Sequence, residues 1–342
     1  MKRAGRRPTM TDVAKLAGVS QTTVSFVLNN VAGANISEET RASVLDAARQ
    51  LGYRSMPSLV NLQSTHSHVI GFVTDEIGTS PFAGDTLKGA QEVAWAAGKM
   101  LVLVNTGGRS DVEEEAIRTL AERQVDGIIY AAMFTRRVEP AAILHDIPTV
   151  LMNCYAADHS LPSVTPNEEA GGRTATLELI RAGRRRIGLI NGERWMDAAQ
   201  DRYRGYCQAL AASQIALDMA LVRYGNWRPD SGYDNTMQLM RLPDPPDALF
   251  CGNDLVAVGA YEALKELGKR IPQDVSVIGY DNQEQLTEYM RPSLSTMALP
   301  HYEMGQWAAQ QLLAVIAAGG QSPATQQKLA CPLIRRDSIE YR

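Results

Sequence analysis

The sequence has only four cysteines in 342 residues, Cys154, Cys207, Cys251 and Cys331. None forms a C-x-x-C pair and none has a histidine at metal-ligand spacing, which argues against a disulfide framework or a metal site and predicts buried thiols in a reducing compartment. No stretch of 18 apolar residues occurs, and the opening MKRAGRRPTM is basic and polar without an apolar h-region. A cytoplasmic chain with no membrane segment is the expectation. Also missing are a G-x-G-x-x-G after the first apolar run, a P-loop, and a Ser, His and Asp set at a recognised spacing, so neither a nucleotide cofactor nor an enzymatic nucleophile is expected. His66, His68, His145, His159 and His301 stand alone and read as polar surface or linker residues.

A net charge of −4 conceals an asymmetry. Residues 1–60 hold eight Lys or Arg and four acids, a net +4, while the remainder holds 26 and 34, a net −8. A basic head on an acidic body suits a polyanion-binding head and a body that is not held to phosphates. The length exceeds one typical domain, so two or three units are expected, and 45% hydrophobic residues supply cores for them.

The head carries the most specific pattern. In TMTDVAKLAGVSQTTVSFVLNN, Thr11 stands as an N-cap, Asp12 suits the positive end of a helix, and a first helix runs from Val13 to Ala17. Gly18 takes the left-handed turn that ends it, and Ser20 caps a second helix. On a helical wheel Gln21, Thr22, Ser25, Phe26 and Asn29 fall within about 140° of one another, with Val24, Val27 and Leu28 on the other side. One face packs; the other is offered outward, in a shape that fits a DNA major groove. A third helix from Ser37 to about Leu51 brings Val44, Leu45, Ala48 and Leu51 to close a small core, and Gly52 ends it.

This stretch closely resembles the DNA-binding headpiece of the lactose-repressor family, whose TxxDVAxxAGVSxxTVSxVLN pattern it carries apart from the first spacing. The resemblance implies a helix-turn-helix whose DNA contacts come from Thr11, Ser20, Gln21, Thr22, Thr23, Ser25, Phe26 and Asn29. Phe26 departs from the Arg or His of many relatives, and offers a thymine methyl only apolar contact. The next segment, YRSMPSLVNLQSTHS, holds about two turns of potential helix after Pro57, too short to be stable alone. In the resembling family it is the hinge helix, which places Leu62 at the leucine that wedges into the minor groove. Ser55, Met56 and Val60 depart from the family there. The expected domains are thus a headpiece over 1–56 and a hinge over 57–67.

From Val69 apolar strands alternate with amphipathic helices. Eight strand candidates, beginning at Val69, Met100, Gly127, Thr149, Ile187, Leu221, Ala248 and Val275, with 10 to 15 helical residues between most of them, predict parallel sheets covered on both faces. Eight such units exceed one small sheet, and the polar Asp158–Pro166 divides them. The fold expected is therefore an α/β chain: an all-α headpiece, then two doubly wound parallel-sheet lobes like periplasmic binding proteins, over 68–342. Lobe one takes about 68–160 plus 294–325 and lobe two about 161–293 plus 326–342.

Ligands of such sheets bind outside the carboxyl ends of the strands, in the cleft between lobes. Residues after strand ends include Asp75, Phe82, Asn153, Trp227, Asn253, Asp254, Asp281 and Asn282. Carboxylates, amides and aromatics in one cleft suit a polyhydroxylated ligand. The family resemblance continues through CGNDLVAVGAYEALKELGKRIPQDVSVIGYDN, which places Asp254 at an effector-binding aspartate, and through DRYRGYCQAL, which places Arg202 at an effector-binding arginine. It also sets Trp227 against the ligand. The effector set is then Asp75, Phe82, Asn153, Arg202, Trp227, Asn253, Asp254 and Asn282, although Asp254 also stands where it would cap the following helix. The function implied is a homodimeric repressor that binds a palindromic double-stranded operator under control of a small molecule, a sugar or related metabolite. A solute-binding protein of the transport type is the alternative. The tail IRRDSIEYR carries no heptad zipper, which favours a dimer over a zipper-held tetramer.

Overall fold

The computed structural model describes residues 8–28, 31, 34, 36–53, 67–320 and 323–340. It divides into two units, Met1–Thr65 and His66–Arg342. Asn29, Leu62 and the hinge up to residue 66 lie outside the described residues.

The first unit contains α1 (Met10–Ala17), α2 (Gln21–Leu28) and α3 (Glu38–Leu51). Helix α1 begins earlier than its sequence suggested, because Thr9 and not Thr11 is the N-cap. The Asp12 amide donates to Thr9 Oγ1 at 3.3 Å while the Thr9 amide donates to Asp12 Oδ2 at 2.8 Å. This reciprocal box satisfies two orphan donors, where Thr11 alone would satisfy one. Gly18 turns at φ 67° and its amide reaches back to the Ala14 carbonyl. Ser20 Oγ then accepts from the Thr23 amide at 3.0 Å to start α2, and Ser37 Oγ accepts from the Thr40 amide at 3.2 Å to start α3. Val13, Val24 and Val44 are fully buried with Ala14, Val27, Ala47 and Ala48. Leu45, expected inside, is 40% exposed; the inward row of α3 runs through Val44, Ala47, Ala48 and Leu51.

The second unit holds two six-stranded sheets. The first contains β1 (Val69–Thr74), β2 (Met100–Asn105), β3 (Gly127–Val138), β4 (Thr149–Ala156), β5 (Ser163–Pro166) and β11 (Gln326–Leu329), in the order β11-β5-β4-β3-β1-β2. All its pairings are parallel. The second contains β6 (Ile187–Asn191), β7 (Val222–Tyr224), β8 (Ala248–Cys251), β9 (Ser276–Asp281), β10 (Ser295–Ala298) and β12 (Leu333–Ile334), in the order β12-β10-β9-β8-β6-β7, with only β12 antiparallel. Helices α4 (Ala83–Ala96), α5 (Ser110–Glu122) and α11 (His301–Ala317) cover the first sheet. Helices α6 (Glu168–Arg181), α7 (Asp197–Ala212), α8 (Pro229–Met240), α9 (Asp254–Glu266) and the short α10 (Glu284–Thr287) belong with the second.

The chain crosses between the lobes three times, each a few residues later than the sequence suggested. Ser163–Pro166, taken as part of lobe two, is a strand of the first sheet; Ser295–Ala298, taken as lobe one, pairs with β9; and Gln326–Leu329, taken as lobe two, pairs with β5. The polar lettering of SVTP hides a fully buried strand. Its Ser163 hydroxyl donates to Gln326 Oε1 at 2.6 Å, so polar groups that would mark a loop are satisfied across the sheet.

Candidate DNA-facing surface and effector cleft

In the first unit α2 presents Gln21, Thr22 and Phe26 outward, Phe26 with 40% of its surface exposed. Thr23 and Ser25 are half-buried at its side, and Thr11 lies exposed on α1. Ser20 and Thr23 share a hydrogen bond between hydroxyls at 2.9 Å besides the cap, so both are committed to the start of the helix. Any contact they make to DNA is added to that structural role.

In the second unit a cavity of about 240 Å³ opens between the two sheets at the carboxyl ends of their strands. Phe82, Asn153, Arg202, Trp227 and Asn253 line it, as the sequence suggested. The other three expected residues do not. Asp75 is buried beneath the first lobe's surface, where its carboxylate accepts from the amides of Glu76 (2.6 Å) and Met133 (2.9 Å) and from Arg136 Nη1 (2.7 Å). Asn282 Oδ1 accepts from Arg336 Nη2 at 2.9 Å.

Asp254 is fully buried and faces into the second lobe: Thr296 Oγ1 donates to one oxygen at 2.6 Å and the Gln283 amide to the other at 2.8 Å. Burial pushes its carboxyl up to about 7 against those two bonds. It does not cap α9 either, since Asn253 Oδ1 accepts from the Val256 amide at 2.8 Å. Of the acidic residues after strand ends, the one that reaches the cleft is Asp281, the neighbour of the expected Asn282. Consecutive acidic and amide residues after adjacent strands look alike in sequence; which one is free depends on partners supplied by other segments.

Arg202 is the centre of the cleft. It leaves the first turns of α7 and is only 3% exposed. Its Nε and Nη2 each donate to Glu168 at 2.8 Å in a two-pronged pair, and Nη1 donates to the Gly252 carbonyl. The guanidinium lies 3.7 Å from the centre of the Tyr280 ring and 5.4 Å from that of Trp227. Burial opposes its charge, but the Glu168 carboxylate more than offsets this and holds it firmly protonated. Glu168, at the start of α6, was not foreseen.

Trp227 sits at φ 61°, a left-handed backbone that costs a bulky residue roughly 1–3 kcal/mol. Asn253 Nδ2 holds its carbonyl at 3.1 Å, and the indole lies over Gly192, where a Cβ would come within 1.7 Å of Cε2. Asn153, Asp281 and Asn282 also have positive φ. Strain of this kind gathers where strand ends turn into the cleft.

His301, read from sequence as a polar surface residue, is a wall of the same cavity. Its ring stacks on Phe82 with centroids 4.5 Å apart, its Nε2 is sealed from solvent without a hydrogen-bond partner, and burial lowers its pKa to about 4. Met133, Phe134, Thr135, Met196, Leu299 and Met304 complete most of the remaining lining. These residues come from β3, from the turn before α7, and from the crossing at Leu299 and the first turn of α11, and carry no motif that would mark them.

Two contacts join the lobes beside the cavity. Tyr155 Oη, in β4, donates to Asp197 Oδ2 at the start of α7 at 2.8 Å, and Phe134 meets Trp195 edge to face at 5.8 Å. Among the described residues no group of three or more His, Cys, Asp or Glu is placed to hold a metal ion.

Comparisons with known proteins agree with this division. The family described as periplasmic binding proteins and sugar binding domain of LacI family matches residues 67–336, and that described as bacterial regulatory proteins, lacI family, matches residues 9–55. The transcriptional repressor PurR of Vibrio atlanticus is 35% identical over 307 residues, covering 89% of this chain and 91% of that protein. The ribose operon repressor of Haemophilus influenzae is 32% identical over 305 residues, covering 89% and 91%. Among solved structures, the lac repressor dimer bound to operator and the anti-inducer ONPF matches with a TM-score of 0.79 at 26% identity over 98% of this chain and 100% of that one. The regulator CelR in complex with cellobiose matches with a TM-score of 0.67 at 31% identity over 97% and 100%.

Proposed function

The chain belongs to the LacI family of bacterial regulatory proteins, and from that premise we propose how its residues divide the work of a ligand-responsive, DNA-binding transcriptional repressor. The headpiece, 1–56, binds one half of a palindromic operator; the hinge, 57–67, links it to the sensor; and the two lobes of the remainder bind a small effector between them. The transport-type alternative is not favoured, because residues 9–55 match the regulatory family. We read the cleft as a binding site and not as an active site, and the protein as cytoplasmic, where its DNA is; no helix among the described residues is long and apolar enough to cross a membrane.

The observation that carries this reading is the pairing of an outward α2 face with an interlobe cavity centred on Arg202. A second copy would pack on the outer strand β2, whose Met100, Val102 and Leu103 stand exposed beside Trp95, an apolar edge that a monomer would leave to aggregation. Effector binding shifts the balance between lobe dispositions only to the extent that it favours one of them, and operator and effector affinities are then linked reciprocally.

Operator titration tests both ends of this scheme. For Phe26→Ala we expect a loss of discrimination at one base pair of roughly 1 kcal/mol, the worth of about one buried methyl. Replacing thymine by uracil at that pair should weaken the wild type and leave the variant unmoved; equal weakening at every position removes Phe26 from base reading. Tyr155→Phe deletes the hydrogen bond to Asp197, worth about 1.5–3 kcal/mol for a charged acceptor, and should shift the effector concentration that half-saturates the operator response. An unchanged midpoint takes this contact out of the switch.

A further inference from the structure

We propose that the effector of this chain is an uncharged ring compound, and that the cleft rejects phosphate esters and carboxylates. The inference rests on the reading of the cleft as the effector site. Arg202 is the one cation in the lining among the described residues, and its charge is already matched: of its five N–H groups two donate to Glu168 and a third to the Gly252 carbonyl, and its plane lies over Tyr280 and Trp227. Asp281 Oδ1 adds a second acidic side chain 3.8 Å from Nη2. An arriving anion therefore meets a guanidinium whose charge the Glu168 carboxylate already balances, beside an Asp281 carboxyl whose pKa burial raises well above the usual carboxylate range, and gains a two-pronged partner only by breaking the paired Glu168 bonds.

No other cation stands ready. His301 is neutral near pH 7, since burial presses its pKa to about 4, so it contributes a ring face and no charge. Arg136, outside the lining, is held by Asp75 and lies over the Phe134 ring at 5.0 Å. Arg336 is held by Asn282, by the Leu294 carbonyl and by Glu288 at 3.6 Å.

The amides of the cleft are also engaged. Asn153 Nδ2 donates to the carbonyls of Ala132 (3.0 Å) and Met133 (3.1 Å) while its oxygen accepts from Thr135 Oγ1 (2.7 Å). Asn253 is divided between the Trp227 carbonyl and the Val256 amide. What remains for a ligand is aromatic and thioether surface from Phe82, Phe134, Trp227 and the methionines, with the Asp281 carboxyl group to hydrogen-bond polar groups on the ligand's edge. A flat or chair-shaped ring with a few N–H or O–H groups fits that chemistry.

The test is calorimetric titration of the full-length protein with matched pairs: D-ribose and D-ribose 5-phosphate, D-glucose and D-glucose 6-phosphate, adenine and adenosine monophosphate, within a library of pentoses, hexoses, disaccharides and nucleobases. The expected result is binding of an uncharged member at least a hundredfold tighter than its phosphorylated partner, lost in Trp227→Ala. Glu168→Gln should narrow that gap at least tenfold; if that variant does not fold, judged by its unfolding transition, Asp281→Asn should move it in the same direction. A phosphorylated member that binds as tightly as its uncharged partner overturns the inference and leaves the cleft as the effector site. A wild type that binds nothing in the library at millimolar concentration, or whose binding ignores Trp227→Ala, overturns the cleft reading itself and the inference with it.

Discussion

Arg202→Ala is expected to lower the unfolding temperature of the His66–Arg342 unit by roughly 6–20 °C and to abolish the effector response. Removing the guanidinium strands Glu168, only 3% exposed, without its counter-charge, and takes a donor from the Gly252 carbonyl. Breaking a buried pair by deleting one partner costs about 3–5 kcal/mol, because the remaining charge stays out of water without compensation. At about 2–4 °C per kcal/mol for a unit of this size class, the thermal shift follows. Differential scanning calorimetry reads the stability, and effector titration of the operator complex reads the response. The double variant Arg202→Met with Glu168→Gln separates the two roles: it removes both charges, so most of the stability should return while the response stays lost. A single variant that unfolds at the wild-type temperature and titrates normally would show that Arg202 neither supports the fold nor meets the effector.

Val24→Asp is expected to eliminate specific operator binding while leaving the sensor unit folded. Val24 is fully buried between the three helices of the headpiece, in a core of seven fully buried side chains, five of them within α1 and α3. A carboxyl group there has no partner, and burying one without a hydrogen bond costs several kcal/mol whichever protonation state it takes. A unit this small buries too little apolar surface to absorb that loss. The second unit has its own cores and shares none of these residues. Fluorescence anisotropy should therefore show no operator-specific binding while calorimetry shows the large transition of the second unit unchanged. Retained sequence-specific binding would mean that the headpiece core tolerates a carboxyl, contrary to its packing.

The headpiece was legible because its signals are local. Gly18 and Gly52 each stand one residue past a helix, and Ser20 and Ser37 each one before, at positions where only their own neighbours decide the geometry. Even its misreadings were local: Thr9 and Thr11 are equally good caps until Asp12 folds back on the first of them, and Leu45 adjoins Val44 in the inward row of α3. The eight apolar strands were legible for a similar reason, as continuous runs between helical segments. The four that were missed, β5, β10, β11 and β12, span two to four residues each; β5, β10 and β11 are rich in Ser, Thr, Gln and Lys, and β12 is only Leu333 and Ile334. Their pairing is decided by partners more than a hundred residues away for β5 and β11, which no window along the chain contains.

The effector cleft divides the same way. Sequence by itself determined that this chain has a helix-turn-helix headpiece, a two-lobed body and a set of polar and aromatic residues at strand ends, because caps, periodicity and the strand-end rule act over a few residues. Only the tertiary structure decided which of those residues reach the interlobe cavity. Asp254 is withdrawn because Thr296 and Gln283, 42 and 29 residues further on, take both its oxygens. Asp281 is left facing the cavity, and His301 and Glu168 arrive there on the crossing segments. A carboxylate, an imidazole or a guanidinium is available only when its neighbours have not already satisfied it, and those neighbours are chosen by the packing of the whole unit.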